Sequence, residues 1–221
     1  MLKKSAIAAA LAALTLSAAH AGTIVSAVDA TVLAGGPGQG DIADTYNLFG
    51  LFNDYVSGVT NFDTYFSTQQ LHDAAFDGQE WFTDSGVTAA TVQYDLGAVT
   101  GIQGMALWNE EGAGIGKLNV SGSKDGVTWF SLLSNLTPTD NPVDASYAAD
   151  LYSWKAVELR FVKLDISNCP QPGGTGYPGC SIGEVAFNTG TVTAVPEAST
   201  MASTLLGMGL LGVAVRRRRQ R

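Results

Sequence analysis

Few residues between the two ends of the chain are suited to catalysis. Beyond the first 21 residues, His72 is the only histidine. A zinc site built on paired histidines is therefore excluded, and a Ser-His-Asp triad would have to be assembled around His72 alone. A single histidine near a strand edge is more often a packing or surface residue, so we do not expect His72 to be catalytic.

The two cysteines, Cys169 and Cys180, enclose a segment rich in glycine and proline. In an oxidising compartment such a pair predicts a disulfide that closes a loop. On the entropic account, a loop of this length stabilises the fold by roughly 3 kcal/mol, because it restricts the unfolded chain. Metal binding by the two thiolates, without a histidine beside them, is the weaker alternative.

Acidic side chains dominate the middle of the chain. The sequence has 12 Lys and Arg residues against 20 Asp and Glu residues, and most of the basic ones lie at the two ends. The basic residues in the middle are Lys117, Lys124, Lys155, Arg160 and Lys163. Such a surface repels phosphate groups, so we expect no nucleic-acid partner. Carboxylates also suit hard cations such as calcium, although most of them serve solubility.

The first 21 residues have the pattern of a secretory signal peptide. Lys3 and Lys4 precede an apolar stretch over residues 6–18, and Ala19-His20-Ala21 has the small-x-small form that signal peptidase recognises. A transmembrane helix needs about 20 apolar residues, and this stretch is shorter. We therefore predict a signal peptide over residues 1–21.

The C-terminal residues 195–221 combine a short motif, an apolar run and a basic end. Pro196 and Glu197 precede the apolar run over residues 198–215, and arginines follow it. A helix over this run is about 27 Å long. This length is close to the hydrocarbon thickness of about 30 Å, and arginine side chains can extend to the interface. The pattern predicts a transmembrane helix with the arginines in the cytoplasm and the body outside.

This tail resembles the PEP-CTERM sorting signal of Gram-negative bacteria, which ends in an arginine cluster, here Arg216, Arg217, Arg218 and Arg219. The resemblance implies export, an inner-membrane intermediate, handling by signal peptidase and an exosortase, and delivery to the cell surface or extracellular matrix. Ala198 stands where the family has a second proline. The expectation for cleavage is therefore weaker than the expectation for delivery.

Between the two ends, the sequence predicts short β-strands. Runs of Val, Ile, Thr and aromatic residues are bounded by Gly, Asn, Asp and Ser. The predicted strands cover residues 90–95, 102–108, 117–122, 128–133, 156–166 and 182–187. In the fifth strand the apolar face changes sides after Phe161, which predicts a bulge or a strand covered on both faces. Many short strands with glycine-rich turns predict an all-β sandwich.

Five motifs follow one another in the order of a known family. They are Ala75-Phe-Asp-Gly78 with Trp81, Tyr94-Asp-Leu-Gly97, the run from Val120 to Trp129, Leu159-Arg-Phe-Val-Lys-Leu164 and Ile182-Gly-Glu-Val-Ala-Phe187. This order resembles the discoidin, or coagulation factor 5/8 type C, domain, which has a galactose-binding-like jelly roll. The resemblance covers roughly residues 71–188. It leaves residues 22–70 as an N-terminal extension packed on the sandwich and residues 189–194 as a linker.

The resemblance implies a structural calcium ion. Family members often bind calcium through the Asp-Gly loop and a glutamate in the last strand, and the matching residues here are Asp77 and Glu184. Two carboxylates and backbone carbonyls form a suitable oxygen cage. The alternative is that Asp77 caps its own turn and Glu184 is solvated. No other cofactor is expected.

The resemblance also implies a sugar ligand held by loops at one end of the sandwich. Trp108 would stack on the sugar while Asn109 and Glu110 bind its hydroxyl groups, and Trp81 and Tyr177 are further candidates. The alternative for the tryptophans is burial, because aromatic residues contribute much of a protein core.

Taken together, these features predict a non-catalytic surface or matrix protein that binds extracellular polysaccharide. The alternative is a purely structural component of the envelope or matrix without a specific ligand. A glycan hydrolase with two catalytic carboxylates is a third reading, but no motif in the sequence selects such a pair.

Overall fold

The computed structural model describes residues 22–74, 78–174 and 177–192. The elements in these residues are, in chain order, β1 (Ile24–Val25), β2 (Asp29–Ala34), a 3-10 turn (Ile42–Thr45), α1 (Phe62–Tyr65), β3 (Leu71–His72), β4 (Trp81–Phe82), β5 (Ala89–Trp108), β6 (Lys117–Ser123), β7 (Phe130–Leu136), β8 (Tyr147–Ser167), β9 (Ser181–Ile182) and β10 (Glu184–Thr189). In this part of the chain no helix is long and apolar enough to cross a membrane. The predicted signal peptide and the predicted helix over residues 198–215 lie outside the described residues.

The two long strands, β5 and β8, form the centre of the structure. They pair antiparallel from Ala89↔Ser167 to Trp108↔Ala149. The first half of β5 also pairs with β2 and its second half with β10. On the other side, β6 pairs with the second half of β8 and carries β7 at its edge. These strands therefore form one antiparallel sheet, in which the two halves of β5 have different outer partners.

The main core lies where the two halves of this sheet face each other. Val92 from the first half of β5 and Leu107 from the second half are fully buried in the same cluster as Phe187 of β10. Leu118 of β6 and Leu164 of β8 complete it. Burial of this apolar surface is the main stabilising term, at about 25 cal/mol per Å². The packing confirms the all-β sandwich that the strand pattern predicts.

A second cluster covers the outer face of the sheet. Side chains alternate along a strand, so Trp108 of β5 and Ala186 of β10 point away from the main core. Tyr55 and Phe62, from the N-terminal extension, pack on them. The extension therefore buries a sheet face that would otherwise be open to solvent.

The predicted strands over residues 90–95 and 102–108 are two halves of the single strand β5. The pairing of β5 with β8 shifts between Asp95 and Thr100, opposite the segment from Leu159 to Phe161. Gly97 lies in this irregular stretch with φ of +81°, a backbone conformation that residues with a Cβ rarely adopt. The change of apolar face after Phe161 in β8 therefore coincides with a bulge in the pairing, one of the two predicted explanations.

Candidate functional site

The two tryptophans predicted to contact sugar both lie in the core. The Trp108 side chain is fully buried, its Nε1 donates a hydrogen bond to the carbonyl of Gln70 (3.0 Å), and its ring packs against Phe66. Trp81 is also fully buried and donates from Nε1 to the carbonyl of Pro37 (2.9 Å). Burial leaves neither ring a face on which a sugar could stack, which agrees with the alternative stated above.

Asn109 and Glu110 organise the backbone of their own loop, residues 109–116. Asn109 Oδ1 accepts a hydrogen bond from the amide of Ile115 (2.8 Å), and Nδ2 donates to the carbonyl of Thr139 (2.8 Å) and to Gln171 Oε1 (2.7 Å). The Glu110 carboxylate accepts hydrogen bonds from the backbone amides of Gly112 and Ala113. Both side chains are buried. Their polar atoms therefore hold the loop and do not face solvent.

Of the five residues predicted to contact sugar, the other four are buried and Tyr177 is partly exposed. Its hydroxyl donates a hydrogen bond to the carbonyl of Thr83, and its ring meets Phe82 edge-on, with 5.3 Å between centroids. The neighbouring Cys169 and Cys180 form a disulfide. This bond closes the loop in which Tyr177 lies, and the tyrosine packs that loop on β4.

A groove of about 400 Å³ lies elsewhere, in the N-terminal extension. We call it the phenylalanine groove, because Phe49 and Phe52 line it and are 59% and 56% exposed. Its remaining lining residues are Asn47, Leu48, Gly50, Leu51, Asp54, Asp73 and Gln79. Exposed aromatic rings beside carboxylate and amide side chains are the usual components of a sugar-binding surface.

The loop over residues 47–52 is fixed in place by several backbone contacts. The amide of Phe52 donates to the carbonyl of Leu71 (3.0 Å), and the amide of Asp73 donates to the carbonyl of Gly50 (2.8 Å). A Cβ at Gly50 would lie 2.5 Å from the His72 ring, and φ at this residue is +118°, so only glycine fits. The loop therefore presents both phenylalanine rings from a defined backbone.

Glu184 lies beside this loop and is fully buried. Its Oε2 accepts a hydrogen bond from the amide of Leu48 (3.3 Å), whereas Oε1 has no partner. Burial raises the pKa of the Glu184 carboxyl well above its ordinary value, and the nearby Asp44 and Asp54 raise it further.

The implied calcium ion is consistent with these surroundings. An unpartnered carboxylate oxygen beside other carboxylates is a donor set that a hard cation requires. Glu184 Oε1 is such an oxygen, whereas Asp44 and Asp54 act on Glu184 only through their charge. Asp77, the other residue that the family resemblance implies, lies outside the described residues.

Sequence reasoning missed Phe49 and Phe52 as candidate contacts. They lie in residues 22–70, which the family motifs do not cover. The available signal was the spacing of two phenylalanines around Gly50, between Asn47 and Asp54. A glycine in a short segment bounded by Asn and Asp is typical of a loop.

The family comparison agrees with the order of the motifs. The F5/8 type C domain matches residues 58–185. The chain belongs to the F5/8 type C domain family. The PEP-CTERM protein-sorting motif matches residues 194–219, which confirms the interpretation of the tail as a sorting signal and implies export with membrane-anchored sorting. A comparison with curated proteins finds no match.

Several solved structures resemble this F5/8 type C chain. The CBM32 of AlyQ in complex with 4,5-unsaturated mannuronic acid is 15% identical, with 75% of this chain and 97% of that chain covered and a TM-score of 0.45. A chitosan-binding module from a chitosanase/glucanase of Paenibacillus sp. IK-5 is 17% identical, with coverage of 74% and 95% and a TM-score of 0.46. A pectin-binding module is also 17% identical, with coverage of 78% and 96% and a TM-score of 0.45.

Proposed function

We propose that this chain is a non-catalytic surface or matrix protein that binds extracellular polysaccharide in the phenylalanine groove. The observation that carries the proposal is the pair of exposed rings, Phe49 and Phe52, held on a fixed loop beside Asp54, Asp73 and Gln79. Aromatic rings pack on the apolar face of a pyranose, while carboxylates and amides form hydrogen bonds with its hydroxyl groups. The groove offers both kinds of contact.

The charge of the groove favours neutral or amino sugars. Asp54 and Asp73 line it, and none of its described lining residues is a lysine or arginine. A uronic-acid polymer brings further carboxylates, which two unpaired aspartates repel. Neutral polysaccharides avoid this repulsion, and protonated amino groups are attracted. We therefore expect affinity to decrease from amino-sugar polymers through neutral polymers to uronic-acid polymers at low salt.

Binding by the two rings can be tested with single substitutions in the full chain. F49A and F52A should each weaken binding to the producer's own exopolysaccharide on the order of tenfold, equivalent to about 1.4 kcal/mol. Isothermal titration or affinity electrophoresis would measure the change. F130A is the matched control, because Phe130 is also exposed but lies on β7, outside the groove.

The possible results separate the proposed function from its alternatives. Unchanged binding in both F49A and F52A would place the ligand elsewhere on the domain. No binding by the wild-type chain to a broad glycan panel would favour the purely structural role. Release of reducing sugar ends during incubation would indicate a hydrolase, and we expect none.

A structural calcium ion at Asp77 and Glu184 forms a second part of the proposal. Bound calcium would stabilise the ionised form of the Glu184 carboxylate, which burial disfavours. Because Glu184 accepts from the amide of Leu48, the ion would also hold the loop of the phenylalanine groove. The melting temperature should rise on adding calcium and fall on adding chelator, and E184Q should reduce this response.

Delivery by an exosortase completes the proposal and rests on the sorting motif at residues 194–219. Replacing Pro196 and Glu197 with alanine should retain the protein in the inner-membrane fraction. Fractionation with an antibody against the body would detect the change. An unaltered surface fraction would show that this motif is not used for sorting.

A further inference from the structure

Three glutamates meet at the loop end of the sandwich although they come from separate parts of the chain. Glu80 precedes β4, whereas Glu110 and Glu111 follow β5. Each contributes a carboxylate oxygen, and these oxygens all lie within 4.8 Å of one another. The three residues are only 2%, 4% and 6% exposed. We call them the glutamate cluster.

Donors from outside the cluster favour the charged form of two of its carboxylates. Tyr147 donates its hydroxyl hydrogen to Glu80. Glu110 accepts hydrogen bonds from the amides of Gly112 (2.7 Å) and Ala113. Hydrogen bonds donated to a carboxylate stabilise its ionised form. These hydrogen bonds therefore offset part of the cost of charge on Glu80 and Glu110.

Burial opposes that charge, and the surrounding protein does not compensate for it. Loss of solvation raises the pKa of Glu80 to about 9 and that of Glu110 to about 8, and burial also raises the pKa of Glu111. The groups that act on the cluster electrostatically include two further acids, Asp73 and Asp144. Every additional acid makes the ionised cluster less favourable.

The basic groups near the cluster do not neutralise it. His72 Nδ1 lies 3.7 Å from Glu80 Oε1, but burial lowers the pKa of His72 and so favours the neutral ring. Lys124 pairs with Glu158, and Arg160 pairs with Asp95. The ion pairs in the described ranges therefore bring no lysine or arginine to the cluster.

One oxygen of the cluster has no partner at all. The Glu111 side chain is more than nine-tenths buried, and its Oε2 takes part in no hydrogen bond. Buried carboxylate oxygens normally have a partner, and leaving one unpaired costs about 1–3 kcal/mol or more. A proton shared between Glu110 and Glu111 is one way to satisfy such an oxygen, and a coordinated cation, which all three carboxylates can reach, is another.

We propose that Glu80, Glu110 and Glu111 bind a hard divalent cation such as calcium, at a site separate from Glu184. Calcium–oxygen bonds of about 2.3–2.6 Å place two ligands on opposite sides of the ion up to about 5 Å apart. The spacing within the cluster fits this limit. The ion would join the start of β4 to the loop after β5, so its role is to hold the loop end together.

The test is calcium titration of the full chain after treatment with chelator and dialysis. Isothermal titration should give a binding event that E111Q weakens on the order of 100-fold, because the number of charged ligands sets calcium affinity. E184Q, at the other carboxylate site, should leave this event unchanged. E158Q is the matched control, since Glu158 is an exposed glutamate paired with Lys124.

Folding of the variants is checked by far-UV circular dichroism before titration. If E111Q does not fold, E111D keeps the charge but moves the oxygens, and it should still weaken the event. Tyrosine-sensitised terbium luminescence should be weaker in E111Q than in the wild-type chain, because Tyr147 contacts Glu80 of the cluster. The proposal is overturned if the wild-type chain binds neither calcium nor terbium, or if E184Q alone removes all binding.

Discussion

The loop over residues 109–116 and the loop over residues 47–52 use the same kinds of residue in opposite ways. In the first, Trp108 is buried and Asn109 satisfies the backbone amide of Ile115 and the carbonyl of Thr139. In the second, Phe49 and Phe52 are more than half exposed. Aromatic and amide side chains therefore stabilise the fold in one loop and are available to a ligand in the other.

This comparison shows why a family motif is a poor guide to exposed aromatic rings here. Trp81, Trp108 and Glu184 all lie within residues 71–188, which the family resemblance covers, and all three are buried. The exposed rings lie in the N-terminal extension, where no motif was recognised. Substitutions in the first loop should therefore alter stability, and substitutions in the second should alter binding.

The largest stability effect is expected for W108A. Removing a buried tryptophan loses apolar burial and leaves a cavity, which costs about 3–5 kcal/mol of unfolding free energy. The hydrogen bond to the carbonyl of Gln70 is lost as well. Urea denaturation would measure the change. F49A should change stability by less than about 0.5 kcal/mol, because its ring is exposed, and equal losses in the two variants would contradict the comparison.

Replacing both cysteines with serine should have the next largest effect. The bond between Cys169 and Cys180 spans 11 residues, and closing a loop of that order stabilises a fold by roughly 3 kcal/mol. The denaturation midpoint of the double variant, compared with that of the oxidised wild-type chain, would test this. Glycan binding at saturating ligand should survive, provided the variant is measured below its melting temperature.

Asn109→Ala should destabilise the domain by about 1–3 kcal/mol, since it leaves buried partners unpaired. Those partners include the amide of Ile115 and the side chain of Gln171. Asn47→Ala is the matched variant in the other loop, where the asparagine accepts from the exposed amide of Phe49. We expect the second change to lower glycan affinity more than melting temperature. Thermal melts and titrations of both variants would show whether the two effects separate.

The smallest effect is expected at the ion pair of Asp95 and Arg160, which lies on β5 and β8. Hydrogen bonds from Arg160 hold the pKa of Asp95 below its ordinary value. The ionised Asp95 therefore stabilises the folded state at neutral pH, and this contribution is lost as the pH falls through the lowered pKa. D95N should cost less than about 1 kcal/mol at pH 7, because the pair is partly exposed.

The pH dependence checks the sign of this contribution. The stability difference between wild type and D95N should shrink as the pH falls below about 4, the ordinary range for an aspartate. Denaturation curves at several pH values would measure it. A difference that grows on acidification would show that Asp95 does not act through its charge.

Much of the fold was predictable because strand periodicity reports burial directly. Val92 and Tyr94 alternate with polar neighbours in a way that marks a strand wherever its partner lies. The continuity of β5 across Gly97 was not predictable, since an isolated glycine between two strand patterns also marks a turn.

The site was harder to predict, because it depends on which surfaces other segments cover. Trp108 ends a strand and is followed by Asn109 and two glutamates, a context that suits an exposed ring equally well. Tyr55 and Phe62 bury its sheet face from about 50 residues earlier in the sequence. Likewise, the meeting of Glu80 with Glu110 depends on the pairing of strands and not on any local spacing.

The short strand β1 has a consequence for how the domain is assembled. Ile24, at the start of the body, pairs with Asn188, and the amide of Thr23 donates to the hydroxyl of Thr189, 166 residues away. A chain that emerges from the ribosome or translocon N-terminus first presents β1 long before its partner exists. The sheet is completed only when almost the whole body has emerged, so we expect slow, late closure typical of high contact order.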